Sequence, residues 1–215
     1  MKRLFILLTM FAAMSAANAQ QQDFVVYYNG QRILFDAEKL DSMKFVTQHE
    51  DEVGGYKYVD LGLSVMWATH NLGAEKSSDV GEYFGWTQNI PFGDYDSYDE
   101  GWRMPTDAEF EELCTLCVWR WMQEGNDRYD GVAGYEIEGT NGNVIFLPAT
   151  GYYNLSNNFV NPEPTGYYWS SDEKTADNGF NMKFNSLQKS SGVVTLKGML
   201  FPIRPVFCIE TEEES

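Results

Sequence analysis

Histidine is almost missing from this 215-residue chain, with two copies, and cysteine is scarce, with three. Two isolated histidines, His49 and His70, leave a Ser-His-Asp triad few options. A structural zinc site needs about four ligands, and no second C-x-x-C accompanies Cys114-Thr-Leu-Cys117. That pair falls inside a segment read below as a helix. Redox thiols normally sit at a helix start, where the dipole lowers their pKa. Packing or a structural disulfide is therefore the expectation for these cysteines, and an odd count leaves a thiol over. Basic residues are also few: 15 Lys and Arg face 32 Asp and Glu, a formal charge of −17. An acidic surface repels phosphate backbones and anionic lipids, which argues against nucleic-acid and membrane-surface partners. Long apolar runs are confined to Leu4–Met14.

That run has the layout of an export signal. Lys2 and Arg3 precede it, and Ala17-Asn18-Ala19 follows as a small-residue cleavage site. The expectation is a signal peptide over residues 1–19, Sec-dependent export, and a periplasmic, cell-surface or secreted product with no membrane insertion after cleavage. Removal of these residues moves the charge to −19, 13 Lys and Arg against 32 acids. About 196 residues remain, enough for one sizeable core. Aromatics at 15% and 19 glycines suit short strands and tight turns better than a helical bundle.

Residues 20–47 read as a small β-hairpin module, in which 24–28 and 31–35 flank Asn29-Gly30, a strong hairpin signal. Residues 48–55 are polar and end in Gly54-Gly55, so they read as a linker. A main domain follows over 56–209, then an acidic tail over 210–215. Within the main domain, 56–61, 64–70, 134–139, 144–148, 167–170, 179–185, 192–197 and 203–208 are strand-like. Residues 71–101 and 152–166 read as loops. One helix is expected at about 107–123. Thr106 and Glu109 have capping-box spacing, and Pro105 blocks any helix running back through that point. Phe110, Leu113, Cys114, Cys117 and Trp121 recur at helical spacing, and Gly125 is a plausible stop. Trp67, Trp86, Trp102, Phe110, Leu113, Trp121, Phe146, Trp169, Phe184 and Val206 form the expected scaffold, with Arg103 and Arg204 as structural hydrogen-bond donors.

Several motifs occur in a fixed order. They are Tyr58-Val-Asp-Leu-Gly-Leu-Ser-Val-Met-Trp-Ala-Thr69, Trp102-Arg-Met-Pro-Thr-Asp-Ala-Glu-Phe110, Ile145-Phe-Leu-Pro-Ala149, Gly166-Tyr-Tyr-Trp-Ser-Ser171 and Ile203-Arg-Pro-Val206. Over roughly residues 56–208 their order and spacing resemble the Fibrobacter succinogenes major paralogous domain family of exported Bacteroidetes and Fibrobacteres proteins. The resemblance implies an α+β, C-type lectin-like domain of short, mostly antiparallel strands and one principal helix. The Arg-x-Pro-Thr helix start is also similar to that of formylglycine-generating enzymes. Relatives often carry cysteines at the positions of Cys117 and Cys208, which implies a Cys117–Cys208 disulfide. Many carry one where this chain has His70.

Three functions follow as expectations. The first is a non-catalytic ligand-binding module, in which Tyr95, Tyr98, Tyr152, Tyr153 and Tyr168 stack on sugar rings or anchor a protein, while Asn154 and Asn158 bond hydroxyls. The ligand is then a glycan or a surface protein. The second is a structural or assembly subunit of a cell-surface complex. The third, formylglycine-type chemistry, needs a cysteine pair late in the fold, where this chain has Cys208 alone, so no enzyme is expected. No cofactor is expected either. Calcium is the exception to weigh, at the acidic cluster of Asp94, Asp96 and Asp99, which reads first as a solvated loop because it lacks EF-hand spacing.

Overall fold

The computed structural model describes residues 51–53, 55–86, 101–161 and 163–208, together with the backbone of two strands at 23–28 and 31–36. The chain divides into two compact units, residues 1–45 and 46–215. In the first, β1 (Asp23–Tyr28) and β2 (Gln31–Asp36) pair antiparallel, Tyr28 opposite Gln31, as the Asn29-Gly30 signal predicts. The strand expected from Met43 to Val46 lies outside the described residues.

The second unit begins with β3 (Asp51–Val53), β4 (Tyr56–Val59), β5 (Met66–Ala68) and β6 (Phe84–Gly85). The single α-helix among the described residues, α1 (Asp107–Leu116), comes next, then β7 (Val118–Met122), β8 (Gly134–Glu138) and β9 (Val144–Pro148). The chain continues through β10 (Tyr152–Tyr153), β11 (Phe159–Val160), β12 (Thr165–Thr175), β13 (Asn178–Asn185), β14 (Lys189–Leu196), β15 (Leu200–Phe201) and β16 (Val206–Phe207). Every pairing is antiparallel. The sheet orders are β16-β5-β4-β3, β11-β10-β15-β6, β7-β8-β9 and β12-β13-β14. The expected linker is corrected at 51–53, which pairs with β4 as a hairpin.

The capping box forms as the sequence predicts. Thr106 Oγ1 accepts from the Glu109 amide at 3.2 Å, and the Glu109 carboxylate accepts from the Thr106 amide at 2.8 Å. Arg103 grips the same carboxylate with both terminal nitrogens, at 2.8 and 2.5 Å. The helix stops seven residues before the predicted end. Cys117 turns extended (φ −97°, ψ 156°), and residues 118–122 run as β7 against β8. Val118-Trp-Arg-Trp-Met122 mixes β-branched and aromatic residues with period two. Trp121 satisfies both periods, which is why a helix reading reaches it. Trp119 and Trp121 instead lie edge-on to Tyr135, at 5.1 and 4.9 Å.

Alternation along strands divides the apolar residues between two clusters. Trp67, Tyr168 and Val206 join Phe110, Leu113, Ile137 and Phe184 in one. Their sequence neighbours Ala68, Trp169 and Phe207 join Trp86, Trp102, Phe201 and Ile203 in the other. Nine of the ten scaffold residues named from sequence are buried; Trp121 is half-buried.

Arg204 is wholly buried. Its Nε donates to Asn71 Oδ1 at 2.9 Å, Nη1 to the carbonyls of Ala68 and Thr69 at 3.2 Å, and Nη2 to the carbonyl of Phe146 at 2.8 Å. Four neutral oxygens from two segments, 68–71 and β9, thus hold one cation. Burial pushes its pKa down, to about 10.

Candidate functional site

Four of the predicted binding residues meet on one hairpin. Tyr152 and Tyr153 of β10 pair with Val160 and Phe159 of β11. The turn between them is built by asparagine. Asn154 Oδ1 accepts from the amides of Ser156 and Asn158, both at 3.0 Å, and the Asn154 amide donates to the Asn158 carbonyl at 3.0 Å. Asn157 takes φ 57°, a conformation asparagine tolerates better than most residues. Asn154 therefore spends its carboxamide oxygen on the turn, while Asn158 closes it through the backbone and stays exposed.

The two tyrosines point to opposite faces, as strand geometry requires. Tyr152 packs edge-on against Tyr167 at 4.8 Å and Phe201 at 5.9 Å, towards the core. Tyr153 packs against Tyr83 at 4.9 Å and Phe159 at 5.3 Å. Tyr83 donates its hydroxyl to the Thr150 carbonyl, and burial together with Tyr153 raises its pKa. Phe159 is 52% exposed, and Leu155 at the turn is 61% exposed. Tyr83, Tyr153, Phe159 and Leu155 make an aromatic and apolar surface on a small sheet.

Sequence reading missed Tyr83, Leu155 and Phe159. Residues 152–166 read as a polar loop, and Tyr83 comes from a separate segment about seventy residues earlier. The usable signal was aromatic pairs flanking an Asn-rich turn.

Tyr168 is corrected from binding residue to core. It is fully buried, donates to the Pro148 carbonyl at 2.8 Å and accepts from Asn71 Nδ2 at 3.3 Å. Burial raises its pKa. Its strand neighbours also face inward, so no surface remains for a ligand.

The Cys117–Cys208 disulfide is corrected as well. Cys114, Cys117 and Cys208 are free thiols. Cys208 lies 3.7 Å from Arg103 Nη2, beside the start of α1, whereas Cys117 follows its last turn. A ten-residue helix is about 15 Å long, and a disulfide needs Cα atoms within about 7 Å. Burial pushes the thiols of Cys114 and Cys117 up to about 11, so both are protonated at neutral pH.

Tyr95, Tyr98, Asp94, Asp96 and Asp99 lie outside the described residues. Among the described residues, no group of three or more His, Cys, Asp or Glu is placed to hold a metal ion, and no helix is long and apolar enough to cross a membrane. His70 is half-buried 5.0 Å from the Tyr56 ring, and burial lowers its pKa. The Ser170 hydroxyl is buried and donates to the Phe180 carbonyl at 3.2 Å. Compared with known proteins, the chain matches no family model, no curated protein and no solved structure.

Proposed function

We propose that the chain is an exported, non-catalytic binding module of the Fibrobacter succinogenes major paralogous type, with a C-type lectin-like scaffold. Its ligand is a glycan or a surface protein, taken up on the β10–β11 face. The observation that carries this reading is the surface of Tyr83, Tyr153, Phe159 and Leu155. Tyr83 and Tyr153 are braced by packing and each other, while Phe159 and Leu155 stand in solvent. Braced aromatics offer contact area at little entropic cost on binding. The antiparallel β architecture with one capped helix agrees with the scaffold, and the apolar segment ahead of Ala17-Asn18-Ala19 supports export.

A thermal-shift screen of the full chain against glycans and mucin fragments, with calcium or with chelator, tests this. A saturable rise in Tm that Tyr153→Ala and Phe159→Ala abolish is the expected result. A calcium-dependent rise would bring the acidic 94–99 segment into the site. The exposure of Leu155 and Phe159, both apolar, also favours a second reading, an assembly subunit of a cell-surface complex. Oligomers that form without ligand and dissociate in Phe159→Ala would select that reading over the first.

A further inference from the structure

Cys114 and Cys117 bracket the last turn of α1, and Cys117 is the residue at which the chain turns extended. Helix geometry puts Cα atoms three residues apart at about 5 Å, inside the range of about 4.4–6.8 Å that a disulfide accepts. Side chains at that spacing share one face, with Cβ atoms about 5–6 Å apart. A disulfide wants Cβ atoms about 3.5–4.5 Å apart, so the gap must narrow by roughly 1–2 Å. A helix end is where such narrowing costs least. Last turns readily tighten to 3₁₀ pitch, which eclipses residues three apart. The helix ends at Leu116 and β7 starts at Val118, so no further helical turn resists the change.

The two sulfurs also share their surroundings. Cys117 belongs to the cluster that holds Leu113 and Phe184, and Cys114 packs against it. The Lys189 charge acts on both thiols, and Cys117 acts on Cys114. Lys189 Nζ stands 5.1 Å over the Trp119 ring, and Trp119 donates its indole N–H to the Leu113 carbonyl at 3.0 Å. Cys114 Sγ lies 3.9 Å from Met182 Sδ, a soft contact that leaves the thiol free to react. Cys208, beside Arg103, belongs to the other end of the helix.

We propose that Cys114 and Cys117 form a disulfide site that locks the end of α1 to the start of β7. The bond closes by exchange with a disulfide donor. The half-buried Cys114, as thiolate, attacks one donor sulfur and expels the other as a thiolate. Cys117, as thiolate, then attacks Cys114 Sγ and expels the second donor thiolate. Two protons pass from the cysteines to the two released thiols, and the donor takes up the two electrons. Thiols with raised pKa values are poor leaving groups, so the closed bond resists further exchange. It is a structural lock and not a redox catalyst. Compartments outside the cytoplasm favour such a bond, in keeping with the proposed export. The inference does not rest on the β10–β11 face.

The test uses the full chain, reduced, desalted and incubated with oxidised glutathione at mildly alkaline pH. Alkylation and tryptic mass mapping follow, and the peptide 104–120 carries both cysteines. In the parent and in Cys208→Ser, this peptide should be unalkylated, free of glutathione and lighter by two hydrogens than its reduced form. Cys117→Ser should instead keep one glutathione on Cys114, which the parent loses. Should Cys117→Ser unfold, the parent supplies a second measurement. Its urea midpoint after oxidation should match or exceed that of the reduced chain. A lower midpoint would show that the bond strains the helix end and would overturn the fit. Recovery of the peptide with two alkyl groups or two glutathiones, or joined to Cys208, would overturn the proposal entirely.

Discussion

Replacing Arg204 by methionine removes a buried cation that ties residues 68–71, β9 and the 203–206 segment together. Four hydrogen bonds are lost, to Asn71 Oδ1 and the carbonyls of Ala68, Thr69 and Phe146. Bonds to a charged donor contribute about 1.5–3 kcal/mol each, roughly 6–12 kcal/mol gross. Removal of the charge offsets part of this. Burial lowers the guanidinium pKa well below its ordinary value, to about 10, equivalent to roughly 3 kcal/mol of strain on the charged form. Nη1 also divides its bonding between two carbonyls, so the gross figure belongs at its lower end. The net expectation is a loss of about 3–5 kcal/mol, read from equilibrium denaturation in urea. Arg204→Lys keeps the charge but loses the planar fork that reaches residues 68–71 and β9 at once. It should therefore cost at least as much as methionine. A methionine variant within about 1 kcal/mol of the parent would refute the claim that the carbonyl cradle holds these segments. A near-neutral lysine would show that charge matters and the fork does not.

Other perturbations follow from the same packing. Trp169→Ala empties a fully buried site 4.3 Å from Phe201 and breaks the indole bond to the Phe84 carbonyl, so chemical denaturation should show a loss of about 3–5 kcal/mol. Thr106→Ala removes one half of the capping box and should cost about 1 kcal/mol, with Thr106→Ser restoring most of it. In alkali, Tyr83, Tyr129 and Tyr168 all have pKa values raised by burial. A raised pKa gives stability that is complete below the unfolded value near 10 and lost as pH climbs above it. Arg204, with its pKa lowered, works with the opposite sign over the same range. Stability should therefore fall above about pH 10, with a reduced share from Tyr83, which is partly exposed and screened. The fall should steepen by up to about 1.4 kcal/mol per pH unit in Arg204→Met. A pH profile that rises in the parent would contradict this assignment.

Local chemistry was legible where its partners lie within a few residues. Thr106 and Glu109 contain both halves of the capping box, and Asn141-Gly142 sets the turn between β8 and β9, with Gly142 at φ 89°. The alternation of Phe180, Met182 and Phe184 foretold a strand, and β13 is that strand, with Met182 and Phe184 buried and Phe180 half-buried where the register shifts at 181–183. The linker reading failed at Asp51–Val53 because an exposed edge strand needs no apolar pattern to pair.

The candidate site was legible only in part. Tyr152, Tyr153, Asn154 and Asn158 sit together because they are neighbours in the chain. Tyr83 joins them through the pairing of β6, β15 and β10, which no local pattern announces. Tyr168 was placed on a strand, but its full burial, with its hydroxyl bonded to the Pro148 carbonyl and Asn71, depends on segments distant in the chain.

By itself the sequence determined a mostly antiparallel architecture, the start of its one described helix and the residues that fill its interior, because periodicity and capping act over single turns and strands. The tertiary structure alone decided where that helix ends, which tyrosines reach solvent, that Cys117 and Cys208 stay apart, and that the buried Arg204 is held by neutral oxygens. Those outcomes depend on what lies opposite each residue in space, and segments far apart in the chain supply it.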